Sequence, residues 1–126
     1  MKFKVSMPFE LADIDVIHRV AEQMLNNYKV KQISELLGYE LLVNLHHRFY
    51  TQWQRMEFNG NEKTTLSLDF VEIMTILTLQ TEAVYEGVRL HQVKCYLEQK
   101  VENYYNLLKS KRTHEQTTFH FTNDRG

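Results

Sequence analysis

The stretch TLSLDFVEIM, residues 65–74, combines two hydrophobic periodicities. Leu66 and Leu68 alternate with polar residues, which is typical of a β-strand with one buried face. Phe70 and Ile73 are three positions apart instead, as on one face of an α-helix. The sequence therefore predicts that a strand changes directly into a helix within these ten residues.

A helix-capping signature lies at the same point. Asp69 is followed three positions later by Glu72, as in the Asp-x-x-Glu pattern of a helix N-terminus. In that arrangement the side-chain oxygen of the first residue accepts a backbone N–H of the first turn. The pattern predicts that the helix begins directly after Asp69.

A second strand-to-helix change lies near the N-terminus, in KVSMPFELADI, residues 4–14. Its apolar residues first alternate and then recur at helical spacing. The pattern predicts a strand over residues 2–8 and an amphipathic helix over about 10–27. We expect the strand to end at Pro8, because proline has no N–H to donate to a strand ladder.

The second predicted helix covers residues 30–57. Gly38 lies within it and costs about 1 kcal/mol relative to alanine, so it marks either a close contact or a break. The turn sequence NGNEK at 59–63 ends this helix and leads to a strand over 64–68. Apolar residues recur every fourth position through the helix: Ile33, Leu37, Leu41, Leu45, Phe49 and Trp53.

A third helical pattern extends from residue 70 to residue 111 without a proline. As one rod, 70–111 would be about 60 Å long, whereas a compact domain of this size is only about 36 Å across. Either the helix breaks or it extends beyond the body and meets a partner. The candidate break points are Gly87 and a threonine cluster, Thr75, Thr78 and Thr81.

The last predicted element is a strand over residues 117–122, TTFHFT, in which Phe119 and Phe121 flank a histidine. Together with the earlier elements it predicts a helix-dominated α+β fold. Three or four helices would pack on one face of a small sheet of about three strands. At 126 residues, the chain is predicted to be a single domain, 1–126.

The composition is that of a folded soluble protein, with 43% hydrophobic residues, four glycines and one proline. The net charge of −1 predicts no strong attraction to nucleic acid or to anionic membranes. A single cysteine, Cys95, rules out an internal disulfide and fits a reducing compartment. There is no signal-peptide pattern, and no apolar stretch reaches the ~18–20 residues of a membrane span. We therefore expect a cytoplasmic protein with no membrane contact.

The sequence lacks the common signatures of chemical sites, such as a phosphate-binding glycine loop, a paired-cysteine zinc pattern or a nucleophile elbow. Its best pair of metal-ligating residues is His91 and Cys95, four positions apart on one helical face. Two ligands do not complete a metal site, and no second pair stands out. The sequence thus predicts no metal, no cofactor and no catalytic residue.

A small enzyme with an unrecognised site is one alternative hypothesis. Asp15 and His18 are three positions apart, so the carboxylate is placed to orient the imidazole as a general base. Such a site would lie in a cleft around Asp15, His18 and His91. His46 and His47 are adjacent and point about 100° apart on a helix, so these two cannot chelate one ion together without distortion.

A small nucleic-acid-binding protein that uses residues 30–56 is the other alternative. Ser34 precedes Gly38 by four positions, which resembles the turn of a helix-turn-helix. Arg48 and Arg55 alternate with aromatic residues, a combination that serves phosphate contact and base stacking. Against this, the apolar pattern runs through Gly38 as it would in one continuous helix, so nucleic-acid binding is not favoured.

The leading hypothesis is a non-enzymatic interaction or assembly module that forms a homodimer or docks to another protein. Its basis is the overlong third helical stretch, whose 88–108 part carries a near-heptad apolar seam beside several tyrosines. The competing interpretation is that this seam is the monomer's own core, folded back after a break near Thr81. The predicted interface residues are Leu90, Val93, Leu97, Val101, Tyr104 and Leu108.

Overall fold

A computed structural model describes residues 3–125, with side chains described for residues 3–112. Over this range the protein is a helix-dominated α+β fold, as predicted. The described residues form two strands and four helices in this order: β1 Lys4–Glu10, α1 Leu11–Asn26, α2 Ile33–Asn59, β2 Lys63–Asp69, α3 Phe70–Leu77 and α4 Val84–Arg125.

The two strands pair antiparallel, with Lys4 opposite Asp69 and Glu10 opposite Lys63. In β1, the buried and exposed side chains alternate strictly along the strand. The buried face of β1 consists of Val5, Met7 and Phe9. Leu68 of β2 is buried on the same side and Leu66 is half-buried. The period-two patterns thus predicted both strands and the face that packs on the helices.

The position of Pro8 in the sheet differs from the prediction. Pro8 does not end β1 but lies within it, opposite Thr65. A two-stranded sheet has only edge strands, where proline is tolerated because one row of N–H groups has no ladder partner.

The predicted third strand at 117–122 is wrong, because α4 continues through these residues and the described part of the chain has a sheet of two strands. Once a helix exists, each further residue adds a hydrogen bond without a new nucleation cost. A terminal strand needs a partner edge, and a short alternating pattern does not supply one.

Both strands run directly into helices, as the sequence predicted. At the second junction, the backbone N–H of Glu72 donates to Asp69 Oδ1 over 2.8 Å. The N–H of Asp69 donates in return to Glu72 Oε1 over 3.1 Å, so the capping box is confirmed. The first junction repeats part of this arrangement, because the N–H of Glu10 donates to Asp13 Oδ2 over 3.0 Å.

Helix α2 is continuous through Gly38, so this glycine marks a close contact rather than a break. A β-carbon at this position would lie 2.8 Å from the hydroxyl oxygen of Tyr28. The helix ends at Gly60, whose φ of 69° is left-handed and whose N–H donates to the carbonyl of Glu57. The turn signal at 59–63 therefore predicted this end correctly.

The predicted helix over 70–111 is interrupted by residues 78–83, so the break falls at the threonine cluster and not at Gly87. The Thr78 hydroxyl donates to the carbonyl of Thr75 over 2.6 Å. Leu79 is buried and its carbonyl accepts a hydrogen bond from the Lys94 amine, which fixes the turn against α4. With 42 residues, α4 is about 63 Å long, so the chain both breaks and extends beyond its body.

The core lies between the sheet and the helices. Helices α1 and α2 form the largest helix pair, and Phe9 of β1 meets Phe49 of α2 edge-on, with ring centroids 5.7 Å apart. Among the described residues, none of the helices combines the length and the apolarity that a bilayer crossing requires. The largest fully buried side chains include Phe9, Phe49, Ile14, Ile17, Met56, Leu68, Ile73, Ile76, Leu79 and Leu97.

Candidate functional site

The first half of the predicted interface lies in the chain's own core. Leu90, Val93 and Leu97 are only 3%, 3% and 0% exposed. They belong to the same hydrophobic cluster as the apolar residues of the sheet and of α1. For this half of the seam, the structure agrees with the competing interpretation, in which α4 folds back after a break near Thr81.

The second half of the seam changes from covered to exposed. Val101 packs on the edge of the core, and the Tyr104 ring stacks on Phe3 with centroids 4.2 Å apart. The next residue, Tyr105, is exposed, and so are Leu107 and Leu108 one turn further along the helix. We define the distal face of α4 as Val101, Tyr104, Tyr105, Leu107 and Leu108.

Charges flank the distal face in a regular order. Glu98 and Glu102 precede Tyr105, whereas Lys109 and Arg112 follow it, and all four are exposed. Glu98 and Arg112 are each two helical turns from Tyr105, on opposite sides. The acidic and basic ends of this segment are therefore arranged about one point on the helix.

A second exposed apolar surface lies between α2 and α3. Phe70, Val71 and Met74 are 42%, 49% and 40% exposed. They face Leu41 across a shallow groove of about 240 Å³ beside Gly38. Phe70 also lies against α4, with its ring centroid 6.4 Å from that of Tyr104. This groove was not predicted from the sequence, although the largely apolar stretch FVEIMTIL, residues 70–77, was a signal for an exposed apolar surface.

The predicted nucleic-acid residues are not arranged as a helix-turn-helix. Helix α2 has no turn between Ile33 and Asn59, so this part of the prediction is wrong. Arg48 forms an ion pair with Glu72 and donates to the carbonyl of Ser67 over 2.9 Å, and it thereby fastens α2 to the start of α3. Arg55 is exposed. Binding of nucleic acid by other means stays a prediction.

The predicted contact between Asp15 and His18 is present. His18 Nε2 lies 2.9 Å from Asp15 Oδ1, and the His18 residue is only 5% exposed. The other oxygen of Asp15 forms an ion pair with Arg19 at 3.0 Å, so the carboxylate is held on both sides. Arg19 also reaches Glu86 of α4, at 3.3 Å.

A histidine from α2 completes this cluster. His46 packs edge-on against His18, with ring centroids 6.2 Å apart. One ligand atom from each of His18, Glu22 and His46 lies within 4.8 Å of the others. His18 Nδ1 and His46 Nε2 are buried without a hydrogen-bond partner among the described residues. We call His18, Glu22 and His46 the histidine cluster.

Aromatic side chains enclose the histidine cluster. The Tyr50 ring stacks on His46 with centroids 5.8 Å apart, and Trp53 lies 5.1 Å from the His18 ring. Burial lowers the pKa of His18 below its ordinary value, and the neighbouring carboxylate of Asp15 opposes this shift only in part. Burial therefore disfavours the protonated form of the His18 imidazole.

The third residue of the hypothetical catalytic cleft lies elsewhere. His91 lines an open groove of about 920 Å³ between α1 and α4, and neither Asp15 nor His18 is among the described residues that line it. Cys95 Sγ is 3.4 Å from His91 Nε2, and both residues are exposed. The structure thus does not bring Asp15, His18 and His91 into one site.

The histidine cluster was not predicted from the sequence. His18 and Glu22 are four positions apart on α1, and this spacing was a usable signal for a pair of ligands. No sequence signal shows which turn of α2 lies opposite His18, so His46 was not identifiable as the third member. Comparisons with protein-family models, with curated proteins and with solved structures gave no match to this chain.

Proposed function

We propose that the protein is a non-enzymatic assembly module that forms a homodimer through the distal face of α4. The observation that carries the proposal is the order of the exposed charges about Tyr105, with Glu98 and Glu102 before it and Lys109 and Arg112 after it. Lys100 also precedes Tyr105, but it is half-buried and lies over the Tyr96 ring. This order is self-complementary for one arrangement of two identical helices, the antiparallel one.

In an antiparallel pair that crosses at Tyr105, residues equally far from the crossing point lie opposite each other. Glu98 then faces Arg112 of the second copy, and Glu102 lies one position from its Lys109, within reach of a salt bridge. A parallel pair would instead place each residue beside its own copy, with acid next to acid. Flanking charges of this kind select the orientation of paired helices more than they add affinity.

Affinity would come from the apolar side chains between the charges. Leu107 and Leu108 are 57% and 47% exposed in the single chain, and the Tyr105 ring is 60% exposed. Burying apolar surface is worth about 25 cal/mol per Å², and tyrosine suits such an interface because its hydroxyl stays hydrogen-bonded while its ring is covered. Val101 of one copy would lie one position from Leu108 of the other.

Sedimentation equilibrium at micromolar concentration tests the proposal. We expect a monomer–dimer equilibrium for the natural chain and a shift to monomer for Leu108→Glu. Reversal of the acids, Glu98→Lys with Glu102→Lys, should weaken the dimer. Adding Lys109→Glu and Arg112→Glu to that variant should restore it. Glu40→Lys, an exposed acid on α2, is the matched control and should leave the equilibrium unchanged. A monomer at every concentration would exclude the homodimer.

The proposed location is the cytoplasm. Cys95 is a free thiol and is exposed on α4. A reducing compartment keeps such a thiol from forming disulfides between copies. Expression of a fluorescent fusion followed by cell fractionation checks this assignment.

A further inference from the structure

The histidine cluster contains polar atoms that the fold itself does not use. His18 Nδ1 and His46 Nε2 are each buried without a hydrogen-bond partner among the described residues. A buried polar atom without a hydrogen-bond partner destabilises the folded protein. Two such nitrogens on facing helices, with a carboxylate beside them, form the ligand set of a transition-metal site rather than of a packed core. We propose that His18, Glu22 and His46 bind a divalent transition-metal ion.

The tautomer of His18 fits this role. Because its Nε2 bonds to the Asp15 carboxylate, Nε2 carries the proton and Nδ1 presents a lone pair. A carboxylate behind a metal-binding histidine commonly orients the ring and raises its basicity. Arg19 holds the second oxygen of Asp15 and so fixes this support.

The distances between the ligand atoms and the charges around the histidine cluster are also compatible with a bound metal ion. Ligand nitrogen and oxygen atoms around a tetrahedral zinc ion lie about 3.4 Å apart, and those of the histidine cluster lie within 4.8 Å. Glu22 is exposed, so its side chain is free to close the remaining distance. Around the cluster, the carboxylates of Glu22, Asp15 and Glu86 outnumber the single guanidinium of Arg19, and this balance favours a cation.

The ligand types indicate the class of metal. Two imidazoles and one carboxylate suit Zn²⁺, Fe²⁺, Co²⁺ or Ni²⁺ better than Mg²⁺ or Ca²⁺, which prefer all-oxygen shells. Three protein ligands leave at least one coordination position for water or a small anion.

Calorimetric titration of Zn²⁺ into chelator-treated protein tests the site. We expect one Zn²⁺ per chain. Glu22→Gln and His46→Ala should each weaken binding at least tenfold, whereas the control variants His47→Ala and Cys95→Ser should bind as the natural chain does. His47 is the neighbour of His46 but is exposed and outside the cluster. Asp15→Asn tests the positioning role of that carboxylate, and it should weaken binding by about 10–100-fold without changing the stoichiometry.

Folding of each variant is checked by thermal unfolding in chelator. Glu22→Gln removes an exposed side chain, so it tests the site even if His46→Ala does not fold. The proposal is overturned by the absence of stoichiometric Zn²⁺ binding, by unchanged binding in Glu22→Gln, or by loss of binding in His47→Ala or Cys95→Ser. The monomeric variant Leu108→Glu should bind Zn²⁺ normally, so this site and the homodimer are tested separately.

Discussion

The Tyr28 hydroxyl occupies the space that a β-carbon on residue 38 would need, because a β-carbon built on Gly38 would lie 2.8 Å from the hydroxyl oxygen. The hydroxyl donates a hydrogen bond to the carbonyl of Glu35 over 2.9 Å and so ties the connection that follows α1 to the first turn of α2. The glycine within α2 is explained by this contact.

The first prediction is a coupling between Gly38 and Tyr28. In a Tyr28→Phe background, Gly38→Ala should stabilise the protein by about 1 kcal/mol, because alanine is the better helix former. In the natural chain the gain should be smaller or reversed, since the new methyl group displaces the hydroxyl from its bond to Glu35. Urea unfolding of the four proteins in a double-mutant cycle measures the coupling. Additive effects would contradict it.

The second prediction concerns the cap of α3. Asp69→Ala should lower the free energy of unfolding by about 1 kcal/mol, because the N–H of Glu72 loses its side-chain acceptor. Asp69→Asn is the matched control, because asparagine caps helices about as well as aspartate, and it should cost much less. Chemical denaturation followed by circular dichroism compares them. An equal loss of unfolding free energy in the two variants would show that the negative charge of Asp69, and not its capping hydrogen bond, stabilises α3.

The third prediction contrasts two leucines of α4. Leu97 is fully buried, and Leu97→Ala should cost about 2–5 kcal/mol of unfolding free energy. Leu108 is 47% exposed, so Leu108→Ala should change the stability of the monomer by less than about 0.5 kcal/mol. Its effect should instead appear as weaker self-association. Unfolding at low protein concentration, combined with sedimentation, separates the two effects.

The fourth prediction is a dependence of stability on pH in the metal-free protein. The folded state lowers the pKa of His18, so the unfolded chain takes up this proton first as the pH falls. The contribution of neutral His18 to the free energy of unfolding should be fully present above the pKa of about 6.5 that histidine has in the unfolded chain. This contribution should be lost as the pH falls through the lower pKa of His18 in the folded state.

Unfolding free energies measured between pH 8 and pH 5 in chelator check this dependence, with His18→Gln as the comparison. The other histidines are common to both proteins, so the difference in pH slope isolates His18. Parallel slopes would show that burial of this imidazole does not affect its titration.

The sequence predicted correctly those elements that depend on interactions between residues close together in the chain. The switch of periodicity at residue 69 placed β2 and α3 correctly, and Asp69 with Glu72 forms the capping box that their spacing indicated. The break between α3 and α4 falls at the threonine cluster, where Leu79 is buried. The seam of α4 was also identified, although its periodicity is the same for a core face and for an interface.

The errors concern long-range pairing. An alternating pattern at 117–122 does not specify a partner edge, and the described α4 extends through it instead. The histidine cluster depends on the register of α1 against α2, which places His46 rather than His47 beside His18. That register results from the packing of many core side chains together, so no short motif encodes it.

The pairing of β1 with β2 has a consequence for biosynthesis. β1 leaves the ribosome before β2, because the strand that pairs with it begins only at Lys63. Until then the nascent chain carries Val5, Met7 and Phe9 on an unpaired strand, which is a template for aggregation. Pro8, in the middle of that strand, lacks the N–H that an intermolecular ladder would need, and it thereby protects the growing chain from its neighbours.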